Sequence, residues 1–274
     1  MKDDYRQLSF FDFVLKKPET TLIENKDELP VSTKTTERHT DNLCPYAVPT
    51  IKEIVKLIDD TTVFHDKDRF LSDLFCCMAV SISNIVDLSR KDEREEQYKQ
   101  IISRYSKTEQ QAMSEISGKL FMLLSSVVYD DGVFSDYLGE IFMTCNMGNK
   151  SAGQFFTPYH ISKLCAKLAI GTPDKANGKI LTLNDPCCGS GGMVLAAMDV
   201  LRNDFGINYT MDCFVDCSDI DLRCVHMTYL QLSLAGVPAI VKHQDALTRK
   251  LYSVWRTPAF VFQYLRFMKY DRLN

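Results

Sequence analysis

One alternation constrains this chain more than anything else in it. Ile180–Leu183, Met211–Val215 and Ala239–Lys242 are short apolar runs of strand character. Between them lie helix-length segments, 191–205 and 221–235, the second stopped by Gly236 and Pro238. Strand, helix, strand, helix, strand predicts parallel pairing, because each crossover helix returns the chain to the same end of the sheet. The expected fold class is α/β, with a doubly wound, Rossmann-like sheet over residues 151–274.

The loop after the first strand reads Asn184-Asp185-Pro186-Cys187-Cys188-Gly189-Ser190-Gly191-Gly192. Ligands of open α/β sheets bind at such strand-to-helix turns. Glycine lets the backbone approach a ligand without side-chain clash, and the following helix offers free N–H groups. The second strand ends in Asp219-Ile220-Asp221 and the third in Gln244-Asp245. An acid at the tip of the second strand can accept both hydroxyls of a ribose, and Asp219 is the choice. Asp221 serves equally as a cap for the next helix. Asp245 is placed to accept from the amino group of an adenine.

Upstream the pattern differs. Residues 46–150 show helical spacing and almost no strand signal, so an α-helical domain is expected there. The charged stretch 90–109 reads as a solvated helix face or loop. Residues 1–45 carry too few large apolar groups beyond residue 15 to fold alone and read as a disordered tail. The chain has 274 residues and a net charge of −4, which gives no support to tight, autonomous DNA binding. Its 10 cysteines, mostly in apolar runs, point to a reducing cytoplasm and to no zinc site. No membrane-spanning stretch is expected.

Gly153-Gln154-Phe155-Phe156-Thr157-Pro158, followed by the 185–192 loop, resembles the modification subunit of type I restriction systems and its N6-adenine DNA methylase relatives, small phage and mobile-element proteins included. That resemblance extends from about residue 50 to 260. It implies an S-adenosylmethionine (SAM) dependent methyltransferase fold, here incomplete at the C-terminus, acting on DNA. It implies that Phe156, Thr157 and Pro158 flank the methionine part of the cofactor. Asp185, Pro186, Gly189 and Gly191 would line the same pocket, with Asp219 on the ribose and Asp245 on the adenine.

Such methylases carry an Asn-Pro-Pro-aromatic motif after the fourth strand, which accepts the hydrogens of a flipped-out adenine amine and stacks on its ring. No such motif stands here. The nearest sequence is Thr257-Pro258-Ala259-Phe260, after a fourth strand at Leu251–Arg256. It is the candidate catalytic set, Thr257, Pro258 and Phe260; the alternative is that Thr257-Pro258 caps a C-terminal helix. The expected function is DNA adenine-N6 methylation. The second expectation is a regulatory protein that binds SAM on the same scaffold without catalysis.

The N-terminal Gln7-Leu8-Ser9-Phe10-Phe11 resembles the short peptide by which bacterial proteins dock on the DNA-polymerase sliding clamp. Gln7 would make polar contacts, with Leu8, Phe10 and Phe11 in an apolar pocket.

Overall fold

The computed structural model describes residues 49–62, 66–129, 132–145, 155–171, 173 and 180–263. The tail peptide at Gln7, Leu8, Phe10 and Phe11 lies outside them, as do Gly153 and Gln154.

Among the described residues, five α-helices come first: α1 (Ile51–Thr61), α2 (Lys67–Val86), α3 (Lys91–Ile102), α4 (Lys107–Ser125) and α5 (Tyr137–Cys145). The starts of α1 and α4 are written locally. Thr50 and Glu53 exchange backbone and side-chain hydrogen bonds at 3.3 and 2.7 Å, and Ser106 and Glu109 repeat the arrangement. Helix α2 is apolar almost all round, with Phe70, Leu71, Leu74 and Phe75 fully or nearly fully buried. By length and composition it could cross a membrane, which runs against the expectation of no such stretch. Here 61% of its most apolar window is buried inside the protein, as befits a central core helix.

The remaining elements are α6 (Tyr159–Ile170), β1 (Leu181–Asp185), α7 (Gly192–Asn203), α8 (Tyr209–Asp212), β2 (Cys213–Asp219), α9 (Leu222–Leu234), β3 (Ala239–Gln244) and β4 (Leu251–Arg256). The sheet runs β1-β2-β3-β4. The first three strands are parallel, as the alternation requires. Strand β4 instead returns antiparallel to β3, with Val241 opposite Trp255. Cys213, Val215 and Cys217 alternate onto the buried face of β2, while Phe214 and Asp216 face the other way and are only half-buried.

The helical segment and the sheet are not separate domains. From Pro49 onward the chain is one compact unit, and a single core runs from Ile54 and Leu74 through Ile141 to Val194 and Val241. The expected boundary near residue 150 divides two patterns of sequence within that compact unit. Several polar connections join the parts, and two of them are centred on buried charged residues. Arg94 reaches out of α3 to donate to the Val254 carbonyl of β4 at 2.9 Å, pairs with Asp87 at 3.2 Å and bonds Ser83. Its guanidinium lies 4.2 Å from the centre of the Trp255 ring. Burial raises the Asp87 carboxyl, but the Ser89 hydroxyl and the Arg94 guanidinium outweigh it and hold the group below its usual range. Arg94 is buried, so the charged stretch 90–109 is not solvated throughout.

The second connection centres on Asp136, just before α5 and buried. Its Oδ1 accepts from Gly139 N at 3.0 Å and from Gln231 Nε2 at 2.8 Å, and its Oδ2 accepts from the Ser190 hydroxyl. Gln231 also donates to the Ser190 carbonyl at 2.7 Å, and its Oε1 accepts from Leu138 N at 3.2 Å. Burial raises the Asp136 carboxyl, while these three donors pull it back down. Removing the carboxylate strands buried donors in the glycine loop, in α9 and in α5 at once. We expect Asp136→Ala to destabilise the fold by about 2–4 kcal/mol in urea titration, and Asp136→Asn by less.

Candidate cofactor site

Strand β1 ends at Asp185, and the chain turns through Pro186–Gly191 into α7. Four hydrogen bonds shape that turn. Cys188 N donates to the Ser218 carbonyl at 2.9 Å, and Ser218 Oγ donates back to the Pro186 carbonyl at 3.1 Å. Gly189 N donates to Asp219 Oδ2 at 2.8 Å, and Thr228 Oγ1 donates to the Gly189 carbonyl at 2.8 Å. The loop is thus fastened to the end of β2 and to α9. Gly189 and Gly191 have φ of +55° and +94°, a region that side chains disfavour. A Cβ on Gly189 would come within 3.3 Å of the Phe156 ring.

The three acids do reach one edge of the sheet, because parallel strands end together. Their surroundings differ. Asp185 is half-buried and accepts from Cys187 N at 3.1 Å. Burial raises its carboxyl, the Cys187 amide opposes this, and neighbouring Asp219 adds to the rise. Asp219 takes one backbone N–H on each oxygen, from Gly189 and, at 2.9 Å, from Asp221. Asp221 caps α9: its Oδ1 accepts from Arg223 N at 2.9 Å and its Oδ2 pairs with the Arg223 guanidinium at 3.1 Å. Asp245 binds its own turn, accepting from Leu247 N at 2.9 Å and Thr248 N at 3.2 Å. Hydrogen bonds from Thr248, and then from Leu247, hold its carboxyl below the usual range.

Phe156 comes to this loop. Its ring sits against Gly189 and meets Phe142 edge-on at 5.7 Å between centres. Arg223 covers the Phe142 ring at 4.4 Å. Thr157 and Pro158 are exposed at the start of α6.

Thr257, Pro258 and Phe260 do not come to the site. Because β4 is antiparallel, its last residue lies beside the first residues of β3, at the end of the sheet opposite the three acids. Thr257 is fully buried there: its Oγ1 donates to the Val237 carbonyl at 2.7 Å and accepts from Ala239 N at 2.9 Å. Pro258 opens a helical turn, and Phe260 packs on Phe214 near the start of β2, with ring centres 5.6 Å apart. The alternative of a structural cap is what stands here; the proposed catalytic set is overturned.

Sequence reasoning missed Asp136, Ser218, Thr228 and Ile220. The first three hold the loop through side-chain bonds between distant segments, and no local spacing announces them. Ile220 is 57% exposed although it follows Asp219 directly. An exposed isoleucine between two acids at a strand end was a readable signal.

Glycine-rich loop, parallel strands and strand-end acids are arranged as in the doubly wound α/β class. Residues 131–262 match the family described as N-6 DNA Methylase. A stretch of 64 residues is 41% identical to the "Type I restriction enzyme MpnII methylase subunit" of Mycoplasma pneumoniae. That stretch spans 23% of this chain and 11% of the relative. Among solved structures, a putative class I SAM-dependent methyltransferase from Listeria monocytogenes is similar at 15% identity and a TM-score of 0.42, covering 74% of this chain and 55% of that one. A type I restriction-modification methyltransferase subunit from Streptococcus thermophilus is similar at 20% identity and a TM-score of 0.37, covering 74% and 41%.

The cofactor that this match implies is SAM, and the donor set fits it. Asp185 and Asp219 beside the glycine loop suit a ligand that brings hydroxyl donors and positive charge. A phosphate-bearing dinucleotide would meet like charges at this loop.

Gly191 shows how little freedom the loop has. A Cβ there would lie 3.1 Å from Thr228 Oγ1 on a backbone already in the left-handed region. Gly191→Ala is expected to lower stability by about 1–3 kcal/mol, read as a drop in Tm.

Proposed function

We propose that this chain is a SAM-dependent DNA adenine-N6 methyltransferase whose cofactor sits at the ends of β1, β2 and β3. The observation that carries the reading is the Gly189 N–H on the Asp219 carboxylate at 2.8 Å, which ties the glycine loop to the ribose acid. Bound SAM supplies an activated methyl group on a positively charged sulfur. Asp219 has lone pairs beyond its two backbone bonds and accepts the ribose hydroxyls. Asp185 faces the cationic methionine part, with Phe156 against the loop that carries it. Asp245 accepts from the adenine amine, and exposed Ile220 packs on the adenine face.

A second reading has a specific observation behind it. Thr257 and Pro258, which would accept the target amine, and Phe260, which would stack on its ring, lie at the far end of the sheet. This favours a protein that binds the cofactor and regulates a partner without transferring the methyl group itself. The tail peptide Gln7, Leu8, Phe10 and Phe11 is proposed, on its sequence, as a sliding-clamp tether for either version, in a phage or mobile-element protein of the cytoplasm.

The experiment is calorimetry with S-adenosylhomocysteine, paired with mass spectrometry of adenine-containing DNA after incubation with SAM. Asp219→Ala is expected to weaken cofactor binding about 10- to 100-fold, the loss of a charge-assisted hydrogen bond pair. Asp221→Ala should leave affinity nearly unchanged. Equal effects from both would sink the ribose assignment. Labelled N6-methyladenine supports catalysis; tight binding without it supports the second reading.

The Asp185 carboxyl gives a pH test. Its pKa is raised in the free protein, so the ionised form is disfavoured there. A cationic ligand requires that ionised form. Affinity should therefore be constant above the raised pKa and fall as pH drops through it, at a higher pH than an ordinary carboxylate would show. Asp185→Asn should bind more weakly at neutral pH and lose this dependence.

A further inference from the structure

The turn between β3 and β4 stands beside the proposed pocket and presents chemistry that the cofactor does not use. Residues 246–252 are exposed, and Leu247 is 95% exposed. The turn is firm. Asp245 Oδ1 takes both the Leu247 and Thr248 amides, Arg249 N donates to the Asp245 carbonyl at 2.8 Å, and Asp245 N donates to the Lys250 carbonyl at 3.0 Å. Arg249 is held at φ +60°, a conformation seldom taken by any residue but glycine. A leucine on so fixed a turn is presented, not merely left over.

Its surroundings form a continuous line. The Lys250 ammonium lies 5.0 Å from the centre of the Tyr252 ring, and that ring lies 4.7 Å from the His243 ring. His243 Nε2 is 3.0 Å from the carbonyl of Ile220, the neighbour of Asp219. Among the described residues, neither Arg249 nor Lys250 pairs with a carboxylate. Lys242, lower on β3, is neutralised by Asp216 at 2.6 Å. The one acid in the turn, Asp245, spends an oxygen on the turn's own amides. Two unneutralised cations, an aromatic ring and a protruding aliphatic side chain match phosphates, a base face and a base step in that order.

We infer that the β3–β4 turn is a DNA-contacting finger, with Arg249 and Lys250 on backbone phosphates and Leu247 against a base step next to the target nucleotide. This rests on the reading that the neighbouring pocket serves DNA methylation. The test uses the full chain, a fluorescein-labelled adenine-containing duplex, and anisotropy titrations over a range of salt. Asn is chosen at position 249 because it tolerates left-handed backbone. Arg249→Asn with Lys250→Gln should weaken binding about 10-fold and reduce the salt slope by about 2, since each phosphate left without its cation takes away close to 0.9. Leu247→Ala should weaken binding several-fold with the slope unchanged. Calorimetry with S-adenosylhomocysteine should give unaltered binding in both variants, which shows that they are folded. A wild-type chain that does not bind the duplex, or a double variant with wild-type affinity and slope, overturns the finger. A wild-type chain that binds DNA through this turn but takes no S-adenosylhomocysteine supports the finger and sinks the cofactor assignments instead.

Discussion

The carboxylate of Asp136 is the interaction on which the rest of the site depends. It is buried, and it takes donors from the glycine loop, from α9 and from the start of α5. A buried charge without partners would cost several kcal/mol, so its donors must be in place before the group can be tolerated. The dependence is mutual. Ser190 and Gln231 are themselves buried, and without Asp136 they would lose their acceptor. The helical segment is therefore part of the cofactor site's frame. Cutting the chain near residue 150 would separate Asp136 from the loop it holds.

A second buried connection ties the helices to β4. Arg94 joins Asp87, the Val254 carbonyl and the Trp255 ring. Breaking such a pair by removing one partner is far more damaging than replacing both, because the remaining charge stays buried. Strand β4 is tied to the helices by this group as well as by its ladder with β3. Its antiparallel direction then has a chemical consequence. The strand leaves the ligand edge at Leu251 and ends at the far edge, where Thr257 closes the start of β3 through its hydroxyl. A residue in that role cannot also hold a substrate amine.

The electrostatics of the glycine loop and strand ends separate them from phosphate-binding sites of the same architecture. A glycine loop leading into a helix is commonly an anion site. Here the Gly189 N–H points at the Asp219 carboxylate, so the chain fills that role with its own anion. What remains is a group of acceptors and negative charge, with Asp185 raised by burial and by Asp219. A positively charged nucleoside is the complement of such a surface.

The sequence by itself determined the three parallel strands, the helices between them and the arrival of Asp185, Asp219 and Asp245 at one edge. Those follow from periodicity and from the geometry of right-handed crossovers, which are local or topological rules. It also left Asp221 open between ribose and cap, since a strand-end acid two residues before a helix suits both; its bond to Arg223 N decided for the cap. Only the tertiary structure decided which strand β4 pairs with, because the sequence marks a strand at Leu251–Arg256 but not its neighbour; beside β3, the six-residue connection 245–250 is too short for a parallel crossover. For the same reason Thr257-Pro258-Ala259-Phe260 could look catalytic in one dimension and lie at the wrong end in three. Asp136 and Arg94 were illegible for a related reason: the partners that tie them to the sheet half, Ser190, Gln231 and Val254, stand 54 to 160 residues away in the chain, and only packing brings them together.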